Sequence, residues 1–417
     1  MRAEVRPRSV EVHPEYTLAF VEFDDQGRFW SREQVELVRR TLEEADASRE
    51  TEGVAVVVFA HGWRHGCDVC DSNVACFRTL LRQIQQDAAV ASRLTQGGVR
   101  PKRVVGVYVG WRGLSAKVQP LESLTFWARK HVAERIGHGD LIELLTRIEI
   151  FARGSNRSDP GRTRFVVIGH SLGGTMVYGA LANILKGRLL EAGRPNPESE
   201  DARVIRGFGD LVLLLNPAFE ASLYAPIDEL VAAFPGFSPR QGPVMITVAS
   251  ETDKPNGMWF PLGRRIDALF QKTGTRSPRR EVVTAVGNYE AFWTHRLTAA
   301  DPPRQPPKPA DRRLSAMRDC RCELPVERID EKEARYLGSL VSGRGTAAMA
   351  PAGAEAAYGR ARLTTLRELV PRNPFWVVRA SDEVIRGHNG IFTTYLIDFI
   401  RRIIIEASAR ARVPRAG

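Results

Sequence analysis

The stretch Phe165-Val166-Val167-Ile168-Gly169-His170-Ser171-Leu172-Gly173-Gly174-Thr175-Met176 joins a short apolar, β-branched run to a helix-compatible one through a G-x-S-x-G turn. A strand that turns sharply into a helix at such a motif, the nucleophile elbow, holds the central serine in a strained backbone and lifts its hydroxyl clear of the main chain. Glycine suits positions 169 and 173 because a Cβ would clash where strand and helix fold back on each other. Ser171 is the candidate nucleophile.

Outward from this turn, the sequence alternates strands and helices. Tyr16 to Phe23 reads as a strand running through Asp24-Asp25-Gln26-Gly27 into Arg28-Phe29-Trp30, which predicts an N-terminal antiparallel hairpin. Ser31 then caps a helix over about Arg32 to Ala45, whose Val35, Val38, Leu42 and Ala45 share one face. Val54 to Phe59 is continuously apolar, as in a strand covered on both faces. A helix over Asn73 to Ala91 follows, with further strands at Arg103 to Val109, Phe165 to Ile168, Leu211 to Leu215, Val244 to Ala249 and Phe375 to Arg379. This order predicts a single α/β unit over residues 1–417, a doubly wound and mostly parallel sheet with right-handed crossovers.

Three segments interrupt the pattern. Gly113 to Asn156 has apolar and basic residues at helical spacing and is expected to form a helical cap over the site. Arg188 to Asp201 is polar and reads as a surface loop, while Thr252 to Asn373 is long and holds the proline-dense stretch Pro302 to Pro309, an extended excursion before the last strand.

Composition narrows the class. With 43% apolar and 26% charged residues and no apolar run near the roughly 20 residues of a membrane helix, the chain reads as globular. Met1 to Pro14 lacks the apolar core of a signal peptide, which makes the cytoplasm the expected compartment. The net charge of +11 is mostly arginine, concentrated in Pro303 to Arg318 and Arg401 to Arg415, and reads as a solvated basic face suited to contact with an anionic membrane surface. No module with interleaved aromatics is visible, so nucleic acid is not an expected partner. Cys67, Cys70 and Cys76 cluster downstream of His61 and His65, but the C-x-x-C has no second pair nearby except Cys320 and Cys322; free thiols in a loop and the following helix are expected in preference to a zinc site.

A serine hydroxyl needs a base to take its proton, and the base needs an acid to set its tautomer. In a parallel sheet the partners lie just beyond strand ends. His388, in Gly387-His388-Asn389-Gly390 between the last strand and a helix-like Ile391 to Ile405, is the candidate base; His131, His138, His170 and His295 are weaker competitors. The loop Ser250-Glu251-Thr252-Asp253-Lys254 offers two carboxylates, of which Asp253 is preferred over Glu251. The oxyanion needs donors, and the backbone amides of Leu172, directly after the nucleophile, and of Trp63, in His61-Gly62-Trp63-Arg64 after a strand, are the candidates. Trp63, Trp111 and Arg112 border a pocket on this reading, and Asn216 and Phe219 form its other wall; equally, the tryptophans simply close the core.

The strand-His61-Gly62-Trp63 segment, Gly169-His170-Ser171-Leu172-Gly173-Gly174 and the late Gly387-His388-Asn389 together resemble the α/β-hydrolase superfamily, in an arrangement similar to bacterial serine esterases and lipase-like proteins. The resemblance implies an α/β-hydrolase fold from about Val54 to Ala407, with Ser171 as nucleophile, Asp253 as acid, His388 as base, and Trp63 and Leu172 as oxyanion donors. It implies cleavage of a carboxylic ester, a small-molecule or lipid acyl ester, with neither cofactor nor metal. The segment from Lys254 to Gly387 is longer than in compact members. The reading from another class is a scaffold that kept the sheet without the catalysis.

Overall fold

Alternation along the β-branched runs decides which side of the sheet each strand feeds. The computed structural model describes residues 9–94, 100–113, 121–159, 161–193, 204–239, 241–260, 279–301, 322, 324 and 352–410. Its strands are β1 (Val10–Val12), β2 (Tyr16–Phe23), β3 (Val54–Ala60), β4 (Arg103–Trp111), β5 (Thr163–His170), β6 (Leu211–Leu215), β7 (Met245–Ser250), β8 (His295–Ala299), β9 (Glu355–Tyr358), β10 (Ala361–Thr365) and β11 (Phe375–Ala380). Among the described residues they form one mixed sheet in the order β1-β2-β4-β3-β5-β6-β7-β11-β8-β10-β9. All neighbours from β2 to β8 are parallel; β1 with β2, β8 with β10 and β10 with β9 are antiparallel.

Helices cover both faces. On β2, Ala19, Val21 and Phe23 join one apolar layer while Tyr16, Leu18 and Phe20 join the other, the two-residue period of a strand buried on both sides. The first layer is closed by α1 (Arg32–Ala47), α3 (Leu121–His138), α4 (Leu141–Ser158), α5 (Leu172–Ala192) and α6 (Ala221–Ala232), the second by α2 (Ser72–Leu94) and the final helix, Thr394–Arg410. The Ser31 side chain accepts a hydrogen bond from the Glu33 amide at the start of α1.

The structure redraws several sequence expectations. The antiparallel partner of β2 is β1, which precedes it; of the expected hairpin only a single bridge, Phe23 to Phe29, is present. The segment from Gly113 to Asn156 supplies helices to the sheet-covering layer in place of a cap: Val132, Ala133 and Ile136 of α3 and Leu144, Leu145 and Ile148 of α4 are buried with α5, because their apolar spacing makes one continuous stripe. Residues 114–120 of that segment lie outside the described residues. Arg188 belongs to α5 and pairs with Glu149 at 3.0 Å, and residues 194–201 of the expected loop are outside the described residues. The long segment before β11 carries β8, β9 and β10, which extend the sheet by three short strands; Pro302 to Pro309 and Pro303 to Arg318 lie outside the described residues. Part of the basic C-terminal run is not a solvated face at all, since Arg401 is buried against Asp87 and Asp398.

The cysteines also differ from expectation. Cys76, on α2, is bonded to Cys322, 246 residues away, and Cys70 is disulfide-bonded as well. Cys67 alone of the upstream cluster is a free thiol; it is buried against β4, where a Cβ on Gly110 would overlap its sulfur, and burial pushes its pKa well above the usual thiol range. His65 is directed at Asp71, 3.1 Å away, and among the described residues no group of three or more His, Cys, Asp or Glu is placed to hold a metal.

Candidate active site

The ends of β3, β5, β6, β7 and β11 meet at one edge of the sheet, and the loops that follow them converge there. At the end of β5 Ser171 has φ 55° and ψ −119°, a conformation that L-residues rarely adopt and that a tight strand-to-helix turn imposes. Its amide donates to the Leu215 carbonyl at 2.9 Å and its carbonyl accepts from the amides of Thr175 and Ala218, so the turn is tied to β6 as well as to α5. A Cβ on Gly169 would lie 2.8 Å from the Gly173 carbonyl oxygen, which is the strand-on-helix contact anticipated from sequence. At Gly173 the obstacle is instead the end of β3, with the Ala60 oxygen 2.1 Å from a built Cβ.

The hydroxyl of Ser171 is 2.7 Å from His388 Nε2. The other ring nitrogen, Nδ1, faces both carboxylate oxygens of Asp253 at 2.9 and 3.0 Å. A carboxylate only accepts, so Nδ1 carries the proton and Nε2 presents its lone pair to the serine, the tautomer a base requires. Asp253 is buried, and its carboxylate takes two further hydrogen bonds from Asn256, from the amide at 3.1 Å and from Nδ2 at 2.9 Å. Glu251, the other carboxylate of this loop, turns outward to Arg296 of β8 at 2.9 Å.

Two loops are stitched together to make this alignment. Ser250 Oγ donates to the Ile385 carbonyl at 2.7 Å, and the Gly387 amide donates to Thr252 Oγ1 at 3.0 Å, holding the His388 loop to the Asp253 loop. Asn216 spans three strand ends: its Nδ2 donates to the carbonyls of His388 at 2.8 Å and Gly387 at 3.1 Å, while its Oδ1 accepts from the Ser250 amide at 2.8 Å. Asn216 itself has φ 43°, a region in which asparagine is among the more tolerated residues. It is fully buried and braces the loop of His388. Phe219 is likewise fully buried, stacked on Tyr178 with ring centroids 4.1 Å apart.

The loop after β3 lies against Ser171. His61, at its start, is buried, and burial lowers its pKa to about 4; its Nε2 accepts from the Trp111 amide at 3.2 Å and its Nδ1 then donates to the Gly62 carbonyl at 2.9 Å. The Trp111 indole donates to the His61 carbonyl at 3.0 Å, so Trp111 serves as a buried fastener for the loop. Arg112 is exposed and pairs with Asp25. Trp63 is partly buried and meets Phe126 of α3 edge-on at 5.5 Å. Leu172 is the first residue of α5, whose opening N–H groups have no acceptor within the helix.

Of the competing histidines, His295 is a core residue packed on Trp376, and His131 and His138 hydrogen-bond to Glu134 on α3. His170 is buried, and its Nε2 reaches the His388 carbonyl at 3.1 Å. The braces Asn256, His170 and Asn216 were not recognisable as such in sequence; a polar residue directly after a strand end was the only signal, and it marked Asn216 as a pocket wall. Compared with protein-family models, with curated proteins and with solved structures, the chain finds no match in any of the three.

Proposed function

We propose that this protein is a serine hydrolase of the α/β-hydrolase type, cleaving carboxylic esters through an acyl-enzyme. The observation that carries the reading is the line from Ser171 Oγ to His388 Nε2, 2.7 Å, and on from His388 Nδ1 to Asp253, 2.9 Å. His388 takes the hydroxyl proton as Ser171 attacks the carbonyl carbon, Asp253 stabilises the imidazolium, and His388 returns the proton to the leaving alcohol oxygen. Water then attacks the acyl-enzyme with the same base, releasing the acid and restoring the serine. The amides of Leu172 and Trp63 are the donors assigned to the oxyanion; the dipole of α5 adds to the first.

An apolar acyl group is the substrate moiety favoured by the surroundings. Aromatic rings run from Trp63 through Phe126 and Trp127 to Phe260, with successive centroids 5.5, 5.4 and 5.8 Å apart, and so link the loop after β3 to the segment after Asp253. On this reading lipid acyl esters are the first class to try, and binding to vesicles of anionic lipid tests whether the enzyme works at an interface.

The disulfide bears on the compartment as well. Among the described residues no helix is long and apolar enough to cross a membrane. The Cys76–Cys322 bond favours an oxidising compartment over the cytoplasm, because glutathione and thioredoxin keep cytosolic thiols reduced.

A fluorophosphonate probe tests the chemistry without knowledge of the substrate. Labelling of the folded protein that vanishes in Ser171→Ala supports an activated serine; no labelling of folded protein overturns the proposal and leaves the scaffold reading. Among p-nitrophenyl esters, activity rising from acetate to octanoate supports the apolar acyl group, and a sharp preference for acetate contradicts it.

A further inference from the structure

His170 occupies the variable position of the G-x-S-x-G turn, and no step of the hydrolysis above uses it. The residue is 1% exposed, and Nε2 lies 3.1 Å from the main-chain carbonyl oxygen of His388. The same oxygen accepts from Asn216 Nδ2 at 2.8 Å. The base of the catalytic line is therefore gripped through its own backbone by two side chains, one from the end of β5 and one from the end of β6.

We propose that His170 is a positioning residue, a neutral imidazole whose Nε2–H donates to the His388 carbonyl and, with Asn216, fixes the base in line with Ser171. The inference rests on the hydrolase reading for its kinetic consequence and on geometry alone for the hydrogen bond. A carbonyl oxygen accepts and does not donate, so the proton of His170 must reside on Nε2. Nδ1 is then bare, consistent with its being buried with no hydrogen-bond partner among the described residues and facing Gly62, where a Cβ would come within 3.0 Å of it.

The charge state follows from the surroundings. His170 is enclosed, its ring centroid is 5.4 Å from that of His388, and the imidazoles of His65 and His61 also act on it electrostatically. Burial, and next the neighbouring His388, hold its pKa well below the usual histidine range. It therefore keeps its donor role when His388 becomes an imidazolium, and it does not compete for the serine proton. The two donors come from the ends of different strands and meet at one carbonyl oxygen, so losing His170 leaves that oxygen held from one side only.

The test pairs two substitutions of similar length. His170→Gln keeps an N–H where Nε2 stood, and His170→Met removes it. The fluorophosphonate labelling rate of Ser171 should stay close to the parent in His170→Gln and fall roughly tenfold in His170→Met, the rate equivalent of about one neutral hydrogen bond. The Nδ1–H resonance of His388, the proton shared with Asp253, should persist in the Gln variant and broaden in the Met variant. Equal rates and resonances in parent and both variants, or an equal loss in both, would overturn the proposal. Nitrogen chemical shifts of the unsubstituted protein give a reading that needs no variant to fold: a neutral His170 protonated at Nε2 supports the clamp, and protonation at Nδ1 refutes it. If the parent is not labelled at all, the hydrolase reading fails, while the two resonance measurements still decide the hydrogen bond.

Discussion

Gly62 lies hard against Ser171: a Cβ placed on Gly62 would stand 2.7 Å from the Cβ of Ser171 and 3.1 Å from the His170 carbonyl oxygen. Neither neighbour has room to yield, since Ser171 is already held at φ 55° by the turn and His170 closes β5. Gly62→Ala is expected to displace the loop after β3 from the nucleophile. Labelling by a fluorophosphonate should drop by on the order of 10²-fold with the melting temperature shifted far less, because a misplacement near 1 Å costs about that much in rate. A parental labelling rate in this variant would show that the loop's position is irrelevant to the serine.

Asp253→Asn tests the acid. An amide in that place donates to His388 Nδ1 through its NH2 group and favours the tautomer with the proton on Nε2, facing the serine. Ester turnover should fall on the order of 10⁴-fold while the fold is retained. Glu251→Gln, by contrast, removes only a partner of Arg296 from the half-exposed rim and should leave turnover within about twofold, as for other surface ion pairs. Measuring kcat for both variants on one p-nitrophenyl ester separates the two carboxylates.

Asn216→Ala removes the partner of the Gly387 carbonyl and of the Ser250 amide and leaves the His388 carbonyl to His170 alone. The expected cost is about 2 kcal/mol of stability, read by urea unfolding, together with slower labelling. Asn216→Gly, which suits the φ of 43°, should lose the hydrogen bonds while relieving the backbone. Its stability should therefore lie between those of the parent and Asn216→Ala.

Acid sensitivity should come in part from two buried imidazoles. His61 and His295 each have a pKa of about 4, lowered chiefly by burial, against 6.5 when exposed. Below pH 6.5 the unfolded chain binds protons that the folded chain refuses, so stability should fall as pH drops from about 6.5 to about 4. The slope is about 1.4 kcal/mol per pH unit for each histidine once the unfolded form is fully protonated. His295→Gln should reduce the slope of unfolding free energy against pH by one proton over that window, and an unchanged slope would contradict the assignment.

Reduction should weaken the molecule. The Cys76–Cys322 bond closes a loop of 246 residues, and its removal, by dithiothreitol or as Cys76→Ser, is expected to cost about 2–4 kcal/mol. A melting temperature unaffected by reductant would place the bond outside the stable core.

What was legible in the sequence was whatever local chemistry encodes. The central strands announce themselves because residues such as Val54 to Ala60 are buried on both faces and so are almost wholly apolar. The turn at Ser171 and the glycine-flanked His388 are visible because their backbones demand particular residues. The three strands appended beyond β11 were not, since Arg296, Arg362 and Glu355 put charges on short, partly exposed segments whose pattern resembles loop. Nor were the braces: Asn256 and His170 differ from ordinary polar residues only in what stands opposite them, and those groups come from distant parts of the chain. The pairing of Cys76 with Cys322 is hidden for the same reason.

β7 and β11 lie side by side in a fixed parallel register, from Met245 opposite Phe375 to Ser250 opposite Ala380. The chain that departs after Asp253 builds β8, β9 and β10 on the far side of β11 and then returns as β11 to the strand beside β7, delivering His388 to the corner where Asp253 lies. That corner works as a port for grafted sequence: evolution, or an engineer, can lengthen or exchange the tract between β8 and β9 while Ser171, His388 and Asp253 keep their spacing.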